Sequence, residues 1–210
     1  MEDNMQNPQS QKPLEPFNLM GWVENNQHRL MPPVANETIF KGNDNFIVMV
    51  SGGPNSRKDY HYNESEELFL QLKGDIKIKL FRDGKHWTVD LREGEMFLIP
   101  PKVPHSPQRF ANTYGLILEK HRVKGEKDGF LYFCEKCGNL LYEEYFFLED
   151  IVKQFPMVMR NFYNSLERRT CKKCGHVMEL PANWEESVKK RSEDNEYAPD
   201  PFAEVHGKSW

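Results

Sequence analysis

A chain of 210 residues can bury one substantial core with a small appended unit, but hardly two large domains. A formal net charge of −4 provides no overall basic field for nucleic acid or an anionic membrane, so an anionic ligand has to be caught by individual arginines. No apolar run approaches the ~20 residues that span a bilayer, and residues 1–16 lack the basic and apolar regions of a secretion signal, which makes a cytoplasmic location the expectation.

Residues 1–15 are rich in Gln, Asn and Pro without apolar periodicity, and read as a flexible N-terminus. A short amphipathic helix is expected from Phe17 to Leu30, stopped by Pro32 and Pro33. Beyond it the apolar period becomes two. Phe46 to Val50 is a buried strand closed by Gly52, Gly53 and Pro54. Leu68 to Leu72 runs into Lys73-Gly74-Asp75, a hairpin signal, after which Ile76, Ile78 and Leu80 alternate with polar residues. A tight turn at Arg82 to Lys85 follows, then strands at Thr88–Leu91, Met96–Ile99 and Tyr114–Glu119. Many short strands without intervening helices predict a mainly β sandwich or small barrel. After Phe133 two cysteine pairs bracket an apolar, partly helical stretch, Leu140 to Phe162, which contains Pro156. Residues 185–210 read as a flexible charged tail.

Two constellations carry chemistry. His61, Asn63 and Glu67 stand at i, i+2 and i+6, so in extended chain they would share one face, with Glu66 on the other. Further along, Gly94, Pro100 and His105 form a second unit. Arg57 shares parity with His61, Arg109 follows His105 by four, and Glu119 ends an apolar strand. A buried carboxylate needs a partner, either an arginine or a ligand's amine and hydroxyl, and arginine's planar fork suits a carboxylate. The second constellation is Cys134-x-x-Cys137-Gly138 and Cys171-x-x-Cys174-Gly175. Two such turns in a chain without a secretion signal point to a four-thiolate metal site rather than to disulfides. Iron and zinc both suit four sulfurs.

The first constellation resembles the cupin superfamily, in which a His-x-His-x-x-x-Glu strand and a later histidine bind a metal. Here Asn63 occupies the middle histidine position. His61, Glu67 and His105 are then left as a two-histidine, one-carboxylate set, which suits non-haem Fe(II) with open positions. More specifically, Gly52-Gly-Pro-Asn-Ser-Arg57, Asp59-Tyr-His61, Glu66-Glu67, Pro32-Pro-Val-Ala-Asn36, Pro100 to Arg109 and Ile117-Leu-Glu119 resemble the 3-hydroxyanthranilate 3,4-dioxygenase family, as do the cysteine pairs.

That resemblance implies a single cupin barrel over residues 16–130 and a rubredoxin-like four-cysteine subdomain over 131–184. It implies Fe(II) on His61, Glu67 and His105, substrate on Arg109 and Glu119, and Arg57 beside the oxygen site. It also implies a homodimer that opens the ring of 3-hydroxyanthranilate with O2, giving a semialdehyde that cyclises to quinolinate. Glu119 and Glu67 both remain open as proton carriers. Two other classes compete: a non-enzymatic metal-binding cupin, which Asn63 and the arginines argue against, and a zinc-ribbon nucleic-acid binder. The latter would use Arg168, Arg169, Lys172 and Lys173, a basic cluster that reads more simply as a solvated face.

Overall fold

A computed structural model describes residues 16–31, 36–40, 45–55, 57–149, 151–181 and 184. The flexible ends expected at 1–15 and 185–210, and the Pro32-Pro33 stop, lie outside the described residues. Two antiparallel sheets face each other as a barrel, so the fold is mainly β. Its strands are β1 (Asn36–Thr38), β2 (Phe46–Gly52), β3 (Asp59–Tyr62), β4 (Glu67–Lys73), β5 (Ile76–Arg82) and β6 (Lys85–Leu91). They continue with β7 (Met96–Ile99), β8 (His105–Arg109), β9 (Tyr114–Lys120), β10 (Asp128–Phe133) and β11 (Leu140–Phe146). One sheet has the order β1-β2-β9-β4-β7, the other β11-β10-β3-β8-β5-β6.

Alternation along the strands fills the barrel, and for Ile76 and Ile78 it is legible in the sequence. Glu67, Phe69 and Gln71 of β4 point inward, and Ile76 and Ile78 of β5 meet them from the other sheet. Phe69, Ile76, Ile78, Ile99 and Ile117 form the apolar floor with Met49, Leu91 and Val103. Truncating a side chain as enclosed as Phe69 to alanine removes about 3–5 kcal/mol of stability in such a core.

Three local expectations are corrected. The Lys73-Gly74-Asp75 turn is not a hairpin between partners, because β4 pairs with β7 and β9 while β5 pairs with β6 and β8. It is a corner where the chain changes sheets. The Arg82 to Lys85 turn, by contrast, does join paired strands. The helix expected from Phe17 to Leu30 is shorter: α1 spans Leu19–Asn25, capped by the Asn18 side chain accepting from the Gly21 amide at 2.9 Å, and a 3-10 turn covers Gln27–Arg29. Val23 and Leu30 pack on Val50 and Tyr114 and so cover part of the outside of the five-stranded sheet. Finally, the stretch from Leu140 begins as a strand, β11, before the helix α2 (Ile151–Tyr163) and a short α3 (Leu166–Arg169).

β10 ties these later elements to the barrel, pairing with β3 on one side and β11 on the other. Its alternate residues Phe130 and Tyr132 pack under α2 against Val158, Phe162 and Tyr163, while Leu131 and Phe133 pack on Tyr60. Within the six-stranded sheet, β3 and β8 meet at a single register pair, His61 with His105.

Candidate active site

The barrel brings together His61, Glu67, His105, Arg109 and Glu119 with Arg57 beside them, but not by the route that extended-chain parity suggests, and Gly94 and Pro100 stay exposed outside this cluster. β3 ends at Tyr62 and β4 begins at Glu67, so His61 and Glu67 lie on strands of different sheets. They meet because the sheets face each other across the interior. His105 opposes His61 across β3–β8, and Glu67 opposes Glu119 across β4–β9. β8 continues through Pro107, so His105 and Arg109 keep the same inward face and are 1% and 2% exposed. Glu66 is exposed, as its parity required.

The donor atoms of His61, Glu67 and His105 all lie within 4.8 Å of one another. Glu67 Oε2 is 3.0 Å from His105 Nε2 and 3.7 Å from His61 Nδ1. Adjacent ligands about 2.1 Å from an ion are about 3 Å apart at right angles, so this spacing fits one metal. The outer ring nitrogens fix the tautomers. His105 Nδ1–H donates to the Val103 carbonyl at 2.9 Å, leaving the Nε2 lone pair inward. His61 Nε2–H donates to Asp128 Oδ1 at 2.7 Å, leaving Nδ1 inward. Two imidazole lone pairs and one carboxylate on a buried face are the donor set of a facial site with open positions. Asn63 does not stand among the three: its Nδ2 donates to Glu67 Oε2 at 3.1 Å and steadies the carboxylate.

Without an ion, these groups pull on each other's protons. Burial works against a charged His61, but hydrogen bonds to Asp128 and Glu67 outweigh it and raise the imidazole to about 9. Burial likewise opposes the Glu67 charge, yet the two histidines hold its carboxyl well below the ordinary value.

Arg109 provides the second half of the site. Its Nη1 donates to Gln71 Oε1 at 3.2 Å, while Nε and Nη2 are buried without a partner. Burial, and then the positive charge of Arg57, lower it to about 10. The slot for this guanidinium exists because Gly115 of β9 has no side chain: a Cβ there would stand 2.8 Å from both Arg109 Nη1 and Gln71 Oε1. Arg57 precedes β3 rather than lying on it. Its Nε is held by Asp59 at 2.7 Å and it lies 5.7 Å over the Phe130 ring, yet its Nη2 is also an orphan. The Arg109 guanidinium is thus buried without a carboxylate partner, whereas half-buried Arg57 is paired with Asp59 and keeps only Nη2 unanswered; a buried charge left unpaired costs several kcal/mol.

Two residues of this cluster were not singled out in the sequence. Arg122 places Nη1 2.6 Å from Glu119 Oε2 and donates Nε to Asp128 Oδ2 at 2.8 Å. It is the charge partner that a buried Glu119 required, although Nη1 donates to the Lys120 carbonyl and Glu119 Oε2 accepts no hydrogen bond. The burial of Glu119 and its neighbour Glu67 nevertheless raise its carboxyl above the ordinary value. Asp128 heads the apolar run Gly129 to Phe133, and an acid opening so buried a strand is the signal that would have found it. A groove of about 760 Å³ lined by Phe81, Pro100, Val103, Phe133 and Tyr145 includes none of these site residues.

The four thiols also converge. Cys134 and Cys174 sulfurs are 3.7 Å apart and Cys137 and Cys171 sulfurs 3.6 Å, against the edge of about 3.8 Å expected for a tetrahedron with metal–sulfur bonds of about 2.3 Å. The two turns are alike: Gly138 and Gly175 have φ of 70° and 71°, and each donates to the carbonyl of its leading cysteine at 2.8 Å. Of the basic cluster beside them, Arg168 stacks 4.6 Å over Tyr142 and Arg169 Nη1 donates to the Met178 carbonyl at 2.7 Å, so both serve the local packing.

The family described as 3-hydroxyanthranilic acid dioxygenase matches residues 12–163. A protein of Xanthomonas campestris pv. campestris named 3-hydroxyanthranilate 3,4-dioxygenase is 48% identical over 169 residues, covering 80% of this chain and 95% of that one. One of that name from Lodderomyces elongisporus is 44% identical, over 78% of this chain and 92% of the other. Among solved structures, a cupin-2 domain protein of Shewanella frigidimarina aligns with a TM-score of 0.37 and 23% identity, covering 46% of this chain and 91% of that one. With an inward histidine–glutamate–histidine face, a buried arginine without a carboxylate partner and relatives matched over nearly their whole length, the chain belongs to the 3-hydroxyanthranilate 3,4-dioxygenase family of enzymes.

Proposed function

We propose that the chain is an Fe(II)-dependent dioxygenase that opens the ring of 3-hydroxyanthranilate, inserting both atoms of O2 to give 2-amino-3-carboxymuconate 6-semialdehyde. The observation that carries this reading is the unpaired, buried guanidinium of Arg109 in the same barrel as the two-histidine, one-carboxylate face. His61, Glu67 and His105 hold the ion, which supplies sites where the substrate's hydroxyl and amine and dioxygen meet and exchange electron density.

The rest is the work of the side chains. Arg109 grips the substrate carboxylate through its two unpaired N–H groups and so fixes the ring's orientation. Glu119, inward and opposite Glu67, faces the substrate amine and hydroxyl. Arg57, with its free Nη2, stabilises negative charge that develops on oxygen. Phe155 and Phe130 flank His61 with ring centroids 5.5 and 6.0 Å away and keep water from that side. Residues 16–130 carry the chemistry in this proposal. Residues 131–184 brace it through a structural four-thiolate iron or zinc site, with the seam inside β10. By the same family reading the enzyme works as a cytoplasmic homodimer, and its product cyclises to quinolinate on the way to NAD.

The test is anaerobic loading with Fe(II), admission of O2 with 3-hydroxyanthranilate, and simultaneous records of oxygen uptake, loss of substrate absorbance and growth of a semialdehyde band. Equimolar consumption is expected. Iron-loaded protein that consumes neither compound rejects the assignment.

A further inference from the structure

One polar chain crosses the site from end to end. It runs by hydrogen bonds from His61 Nε2 to Asp128 Oδ1 at 2.7 Å and from Arg122 Nε to Asp128 Oδ2 at 2.8 Å, and then by an ion contact outside hydrogen-bond geometry from Arg122 Nη1 to Glu119 Oε2 at 2.6 Å. None of the four is a surface group: the side chains of Arg122, Asp128 and Glu119 are 3%, 0% and 2% exposed. The two ends do different things. His61 presents its other nitrogen to the proposed ion, whereas Glu119 faces the interior beside Glu67. Arg122 itself reaches neither the ion nor the substrate position, because its nitrogens are taken by Asp128, Glu119 and the Lys120 carbonyl.

We propose that Arg122 is a positioning residue that serves metal binding and substrate binding at once, holding Asp128 against His61 with one edge of its guanidinium and Glu119 with another. The inference rests on the function proposed above for the substrate arm only. On the metal arm, the Arg122 fork pins both oxygens of Asp128, so an oxygen always faces His61 Nε2–H and the Nδ1 lone pair stays inward. An asparagine at 128 would turn its carbonyl to Arg122 and its NH2 to His61, favouring the tautomer with the proton on the ligand nitrogen. On the substrate arm, loss of the guanidinium frees Glu119 to swing and leaves it buried beside Glu67 with no cation.

Two binding measurements, both made without turnover, separate the arms. Co(II) affinity is read from its visible absorption in protein stripped of the His/Glu metal. The affinity of 3-hydroxyanthranilate is read by anaerobic titration of the Co(II)-loaded protein. Asp128→Asn should weaken Co(II) about 10–100-fold and leave the substrate constant of loaded protein within about 3-fold. Glu119→Gln should do the reverse. Arg122→Gln should weaken both, and Arg122→Lys, which keeps the charge but not the fork, should weaken both by less. An Arg122→Gln protein that folds by circular dichroism and is impaired in one constant alone, or in neither, overturns the proposal. If Arg122→Gln does not fold, Arg122→Lys decides by the same criterion. Should wild-type protein bind Co(II) but not 3-hydroxyanthranilate, the functional assignment fails. The proposal of a double role for Arg122 then falls with its substrate arm, while an unchanged Co(II) constant in Asp128→Asn would refute the metal arm independently.

Discussion

The His/Glu cluster and the cysteine cluster each gather the donors of an ion site, and they are assembled in opposite ways. Four thiols come from two copies of one local turn, each closed by its own glycine and backbone hydrogen bond, and their sulfurs all lie within 4.8 Å of one another. The three inward donors come from β3, β4 and β8 in two sheets, and unpaired buried groups surround them. In the function proposed above, the first arrangement closes a coordination sphere and braces the chain, whereas the second leaves corners free beside the unpaired Arg109. Ligand number and neighbouring unpaired groups, more than affinity, distinguish a fastening from a reaction centre.

That contrast can be broken most decisively at His105. His105→Ala should abolish turnover and lose the barrel metal while retaining one equivalent in the cysteine cluster, as read by metal analysis beside the oxygen-uptake assay. Loss of both metals together would mean that the two sites are not separable. Next in size is Arg109→Met. Removing one half of a buried charged pair costs about 2–5 kcal/mol, so kcat/KM should fall by roughly 30- to 4,000-fold while the metal content of the barrel is unchanged.

The cysteine side is probed by the double change Cys134→Ser and Cys171→Ser. A closed structural site contributes several kcal/mol to folding, so thermal unfolding should begin about 10 °C lower, yet kcat per barrel iron should stay within about 3-fold. Lost turnover with an intact fold and a full barrel site would contradict the division of roles. The smallest expected effect is that of Gly115→Ala. Its methyl would crowd Arg109 Nη1 and Gln71 Oε1 at 2.8 Å and push the guanidinium out of line, raising KM about tenfold with kcat little altered.

The sequence reading succeeded where contacts are local and failed where they are not. Both cysteine turns were legible whole, because spacing and glycine fix them within a few residues. The alternation of β5 gave Ile76 and Ile78 as inward residues correctly, since period two states which face a side chain takes. Period two does not state which sheet the strand joins. The corner at Gly74 therefore looked like a hairpin, and His61 and Glu67 looked like neighbours on one strand when they are opposed across the barrel. Arg122 and Asp128 escaped notice for a related reason. In sequence they flank a run of Lys, Gly and Glu that reads as a solvated turn, and only closure of β10 onto β3 buries them.

The single rung between β3 and β8 has a structural consequence of its own. A sheet laced by one pair along a line is weakest there, and that pair is His61 and His105. In the function proposed above, an ion held by both imidazoles would be a stitch across the sparsest ladder among the described strands of that sheet. On that reading, taking the ion away would also loosen the wall that shelters its site.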